Sequence, residues 1–163
     1  MDDPLWTFSL SFYARSGVQD ACLELQDEAG ADVNFLLFLL WCAQTGRPLD
    51  ASAIAAADAS ITPWRRAVIE PLRGARRALR AHLLAGADTA DFRTRLKAVE
   101  LEAERLAQVA LVRLAPGASE VASAEAARYL ELYASHLGRV LPQQATAFLL
   151  KALVAFQASP PVS

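Results

Sequence analysis

Apolar residues recur along this chain at three- and four-residue steps, and no stretch alternates with period two, so the pattern predicts helices throughout and no strands. A first short helix is expected over residues 4–15, with Pro4 in its first turn and Leu5, Phe8 and Phe12 on one face; Ser16-Gly17 ends it. A second, residues 18–29, places Val18, Cys22, Leu25 and Ala29 on one side, and Gly30 suits the left-handed residue that terminates it. Asp32 then restarts the chain, its carboxylate able to accept from the free N–H groups of the next helix. That helix, opening at Val33 and closing at Thr45, carries Phe35, Leu36, Leu37, Phe38, Leu39, Leu40 and Trp41 in succession, so it must be surrounded by protein on nearly all sides.

After Gly46-Arg47-Pro48, residues 49–61 read as an Ala-rich connection that holds one short helix after Asp50 and is the best candidate for a mobile segment. Thr62-Pro63 read as cap and first-turn proline of a long helix toward Leu84, bent at Pro71 and ended by Gly86. Residues 89–114 form the next helix, with Phe92, Leu96, Val99, Ala103, Leu106 and Ala110 in a heptad-like seam. Ser119 or Ser123 can cap a helix carrying Ala126, Tyr129, Tyr133 and Leu137, which Gly138 ends; Pro142 opens the last helix and Ser159-Pro160-Pro161 stops it. The expected fold class is therefore all-α: a compact, orthogonal-type bundle of seven or eight helices around the central one. It would form a single domain over residues 1–158 with a short tail, 159–163.

Composition narrows the function classes. At 163 residues and 54% hydrophobic, the chain can bury a core without disulfides or metals and is too apolar for intrinsic disorder. Its longest apolar run, residues 35–43, is far short of the roughly 18–20 residues of a spanning helix. The acids of Met1-Asp2-Asp3-Pro4 stand where a secretory signal would place Lys or Arg, which predicts a cytoplasmic protein. Cys22 and Cys42, the two cysteines, read as small buried hydrophobes.

Charge is the informative asymmetry. Residues 1–60 hold nine acids and two arginines, residues 61–80 six arginines and one acid, and the net charge of the whole is −2. On a wheel of 100° per residue Arg66, Arg73, Arg77 and Arg80 fall within about 60°, opposite Trp64, Val68, Leu72, Ala75, Leu79 and Leu83, so the helix should pack inward and show arginine outward. With Arg76 beside them, these guanidinium groups could dock an anion or an acidic protein partner. The alternative is a solvated face partly neutralised by Glu100 and Glu104. The acidic net charge and the lack of interleaved aromatics argue against nucleic acid.

The turn between Gln26 and Asn34 gathers a second set of polar groups. Gln26, Asp27, Asp32 and Asn34 could form a small polar or cation site, but the run lacks the calcium-loop pattern. Structurally, Asp32 would cap, Gly30 turn, and Gln26 and Asn34 bond across the connection. A buried Asn34 left unpaired would cost about 1–3 kcal/mol, so something must satisfy it. No catalytic motif is present; His82 and His136 read as structural, and a Cys22/His nucleophile pair rests on composition alone.

Cys22-Leu23-Glu24-Leu25-Gln26, Gly30-Ala31-Asp32-Val33-Asn34, Leu36-Leu37 and Trp41, followed by Pro71-Leu72-Arg73 and Arg76-Arg77, resemble the signature of an uncharacterised proteobacterial family of small helical proteins. The resemblance implies a bacterial cytosolic protein whose shared feature lies in the turn from Gln26 to Asn34 and in the arginines from Arg73 to Arg77. Three readings follow. The preferred one is a non-enzymatic interaction or adaptor module whose arginine-rich face engages an acidic partner. The second is a small-ligand or divalent-metal site, possible also for an enzyme, with Gln26, Asp27, Asp32 and Asn34 facing Arg73 in a cleft. In the third, the seam from Phe92 to Ala110 joins a homodimer, with an intramolecular helix hairpin as the favoured alternative for the same seam. No cofactor is expected.

Overall fold

The computed structural model describes residues 3–120 and 125–158, and no strand occurs among them. Among the described residues eight α-helical segments follow one another: α1 (Pro4–Tyr13), α2 (Val18–Ala29), α3 (Val33–Gln44), α4 (Ala51–Trp64), α5 (Glu70–Ala78), α6 (Ala90–Leu114), α7 (Ala126–Leu137) and α8 (Gln143–Gln157). A π turn, Arg65–Ile69, joins α4 to α5 without a break, and a 3-10 turn, Leu79–Ala81, extends α5.

The central helix is α3. Every residue from Asn34 to Ala43 is buried, and α1, α2, α6, α7 and α8 pack around it. Burying one Phe or Leu side chain contributes about 1.5–3 kcal/mol before entropy is counted, so this run dominates the driving force for folding. Its start is fixed as the sequence predicts: Gly30 takes φ +69° at the end of α2, and Asp32 Oδ1 accepts from Phe35 N–H at 2.7 Å. Two tyrosines of α7 close the far side. Tyr133 Oη accepts from Asp32 N–H at 3.0 Å, and Tyr129 Oη accepts from Leu49 N–H at 3.1 Å.

Four expectations fail, each for a local reason. Residues 49–61 are no mobile connection: Asp50 Oδ1 caps Ala53 N–H at 2.7 Å, and α4 buries Ile54, Ala57, Asp58 and Ile61. Thr62 and Pro63 therefore sit inside a continuous helix, where the Thr62 hydroxyl donates to Asp58 O at 2.7 Å instead of capping. The disturbance expected at Pro71 appears one turn earlier. Pro63 and Pro71 each delete a helix N–H, and the five residues between Trp64 and Glu70 widen into a π turn closed by Glu70 N–H to Arg65 O. The helix then stops at Ala81, short of Leu84, with His82 in the left-handed region at φ +48°.

The heptad seam on α6 is not the buried face. Phe92, Val99, Leu106 and Ala110 are exposed, Leu96 is half-buried, and Ala103 alone of the six is buried. The helix buries Glu100, Ala103, Ala107, Gln108 and Leu111 instead, because Glu100 and Gln108 find polar partners inside. Ser119 does not cap α7: its N–H bonds to Gly46 O at 2.7 Å, and the residue before the helix, Glu125, makes no side-chain cap; Ser123 lies outside the described residues, as do Ser159, Pro160 and Pro161.

Gly17 takes φ +84° where α1 turns into α2, and the Phe148 ring of α8 stands 2.5 Å from where a Cβ would be. Gly17→Ala is expected to cost about 1–2 kcal/mol, from the left-handed backbone with some ring displacement. A lower urea midpoint at unchanged slope checks this; an unchanged midpoint would show that the turn tolerates a side chain.

Candidate functional site

Helices α1, α2, α3, α5 and α6 enclose a cleft of about 400 Å³. A buried polar relay stands at one end of it. Ser9 Oγ donates to Gln108 Oε1 at 2.9 Å, and Gln108 Nε2 donates to Asn34 Oδ1 at 2.9 Å. All three residues are buried, so Asn34 is satisfied by α6 and not, as the sequence suggests, by Gln26. The relay ends at Asn34 Nδ2, for which the described residues supply no acceptor, and Asn34 lines the cleft.

Two arginines and two glutamates form the wall. Arg73 reaches Glu100 Oε1 at 3.2 Å through Nε and Glu104 Oε1 at 2.7 Å through Nη2. Arg76 grips both oxygens of Glu100, with Nε on Oε2 and Nη2 3.1 Å from Oε1. Burial acts to raise the Glu100 pKa, but hydrogen bonds from Arg76 and Arg73 outweigh it and hold the carboxyl below its usual range. For Glu104 burial wins over Arg73, and the pKa lies above the usual range. One carboxylate is thus firmly ionised, while the other stands nearer to protonation.

The rim carries Arg77, Arg80 and Lys97, all exposed and without an ion pair among the described residues. The opposite wall is apolar and aromatic, with Trp6, Leu10 and Tyr13 of α1, Leu23 of α2 and Leu37 of α3. Burial pushes the Tyr13 hydroxyl up to about 12, so it acts as a neutral hydrogen-bonding group.

The cleft brings together much of what the sequence singles out. Arg73, Arg76, Arg77 and Arg80 line it together with Gln26 and Asn34; Arg66, Asp27 and Asp32 do not. Arg66 is exposed on the π turn and Asp27 on the outer face of α2. The helix packs inward only in part: Val68 and Leu72 pack with Ile69 against Ala103 and Ala107, whereas Trp64 and Leu83 are exposed, and Arg66, Arg77 and Arg80 show outward while Arg73 and Arg76 turn toward α6. Ser9, Lys97 and Gln108 carry no motif that marks them in the sequence. The one available signal was Gln108 as the sole polar residue in the run 106–112.

Asp32 belongs to a different cluster. Arg65 Nε lies 2.8 Å from Asp32 Oδ2 and its Nη2 2.6 Å from Asp58 Oδ1, while His136 Nε2 lies 2.9 Å from Asp58 Oδ2. This chain of polar contacts clamps the start of α3, the end of α4 and the last turn of α7. Among the described residues no three His, Cys, Asp or Glu side chains gather as metal ligands would, and no helix is long and apolar enough to cross a membrane. Cys22 and Cys42 are free and buried, and burial pushes both thiols up to about 12, away from nucleophilic use.

Neither curated proteins nor solved structures yielded a match to this chain. A family model described as a protein of unknown function, DUF2390, matches residues 4–111. That span contains every residue that lines the cleft. It covers about two thirds of the sequence, and the chain belongs to the DUF2390 family.

Proposed function

We propose that this protein binds an anionic ligand in the cleft that α5 and α6 form with α1, α2 and α3. The observation that carries the reading is the convergence of Arg77, Arg80 and Lys97, three cations without carboxylate partners among the described residues, on one end of a concave site. Guanidinium groups give paired hydrogen bonds to oxyanions and stay charged at any physiological pH. The wall behind them is electrically balanced, since Arg73 and Arg76 already hold Glu100 and Glu104. The adaptor reading, in which an acidic segment of a partner protein docks on the arginines, draws on the same three cations. Because they edge a cleft and not a flat helix face, a small molecule is the better fit. The protein is read as a bacterial cytoplasmic binding module in either case.

Titration of the full chain with pyrophosphate and citrate at low salt tests the reading. At a hundredfold excess over Kd a ligand adds about 2.7 kcal/mol, which raises Tm by roughly 5–10 °C for a chain of this size. The Arg77→Glu, Arg80→Glu variant is expected to bind at least tenfold more weakly with its helical circular-dichroism signal intact. If neither anion moves Tm, or the variant binds like the wild type, the rim is only a solvated face.

A further inference from the structure

We infer that the ligand is a nucleoside phosphate, lying lengthwise with its phosphate at the rim and its base at the Asn34 end. The inference rests on the anion reading above and adds the other half of the molecule. The charges of the cleft are graded along its length. Helices α5 and α6 run antiparallel, with Arg73 opposite Glu104 and Arg76 opposite Glu100, so Arg80 and Lys97 lie together beyond them. A second anion in the middle would have to displace a carboxylate already held by two guanidinium groups, which confines the ligand's charge to the end with Arg77, Arg80 and Lys97.

The other end is polar and uncharged. Asn34 is 6% exposed and lines the cleft, and its Nδ2, the relay's last donor, has no acceptor among the described residues. Gln26 also lines the cleft, and its side chain has no hydrogen bond among the described residues. Carboxamides of this kind read the edges of planar heterocycles through a donor and an acceptor side by side. Trp6 and Tyr13 offer the aromatic surface on which a base stacks. Lys97 and Gln108, at opposite ends, are eleven residues apart on α6, roughly 16 Å at 1.5 Å per residue. Inorganic phosphate or a small dicarboxylate would leave half that length empty, whereas a nucleoside mono- or diphosphate spans it. A volume of about 400 Å³ suits one such molecule.

Calorimetric titration of the full chain with pyrophosphate, ribose 5-phosphate, the common nucleoside mono- and diphosphates, and a trinucleotide RNA separates the parts of this inference. At least one nucleoside phosphate should bind ten or more times more tightly than ribose 5-phosphate. Arg80→Gln, Lys97→Gln should weaken both by a similar factor, and Gln26→Leu should weaken the nucleotide alone. Gln26 is half-buried and holds no internal hydrogen bond, so that variant keeps the fold. Equal binding of nucleotide and ribose 5-phosphate, or a Gln26→Leu variant with wild-type selectivity, overturns the inference and leaves the anion reading standing. No binding of any probe, pyrophosphate included, overturns both. If the trinucleotide binds as tightly as the best mononucleotide, the same chemistry is met at the end of an RNA strand; weaker binding assigns it to the free nucleotide.

Discussion

Arg65→Ala is expected to lose about 3–5 kcal/mol of stability and to lower Tm by roughly 6–20 °C. The substitution removes one guanidinium and strands two carboxylates. The Asp32 and Asp58 side chains are 11% and 12% exposed, and each would be left as a charge out of water with one remaining polar partner, Phe35 N–H for Asp32 and His136 for Asp58. Breaking a buried pair costs far more than the pair contributes net, because the surviving charge keeps its desolvation penalty. Arg66→Ala supplies the control. The neighbour is exposed and unpaired among the described residues, so its loss should stay within about 0.5 kcal/mol. Urea unfolding of both variants decides the matter. A loss below 1 kcal/mol for Arg65→Ala would mean that water already solvates the clamp.

The second large effect sets two neighbouring glutamates against each other. Glu100→Gln should destabilise at pH 7 by about 2–4 kcal/mol, since Arg73 and Arg76 both lose the charge they share. Glu104→Gln should stay within about 1 kcal/mol, because burial already disfavours that carboxylate and an amide oxygen still accepts from Arg73. The pH dependence separates them by sign. The Glu100 pKa is lowered by folding, so its stabilisation is full above the unfolded value and vanishes as pH falls through the folded one. The Glu104 pKa is raised, so its contribution is full below the unfolded value and is lost as pH rises through the folded one. Acid titration should therefore shrink the deficit of Glu100→Gln and, if anything, enlarge that of Glu104→Gln. Equal deficits at pH 7 would show that the two carboxylates share the arginines evenly.

Much of the helix pattern was legible because local chemistry settles it. Gly30, Asp32, Asp50 and Pro142 stand where the chain turns or caps, and the apolar run after Asp32 has no stable place except the centre. The α4–α5 region was misread for a reason of phase. A helical wheel assumes 100° per residue without interruption, but the π turn inserts one residue, so everything after Ile69 is rotated by about 100° relative to what precedes it. Arg66 therefore leaves the stripe to which the wheel assigns it, while Arg73, Arg76, Arg77 and Arg80 stay together. The face of α6 was illegible for another reason. Glu100 and Gln108 can be buried only because Arg73 and Ser9, 27 and 99 residues away in sequence, meet them in space. A single sequence shows the polar residues but not those meetings. The charge separation and the family resemblance did set the arginines against the turn at Asn34, and the cleft joins two of that turn's four polar residues.

The encirclement of α3 has a cost in time during synthesis. Its ten buried residues leave the ribosome long before their cover is complete, because α7 and α8 follow and the last turn of α8 comes about 110 residues after Gln44. At 5–20 residues per second the most apolar segment waits roughly 6–20 s for its final neighbours. The contacts that end the wait are among the most distant in the chain, such as the hydrogen bond between Asp32 and Tyr133, 101 residues apart. A nascent chain of this protein should thus lean on chaperones that shield exposed leucine and phenylalanine, and slowing translation after Gln44 should increase aggregation without any change in the finished fold.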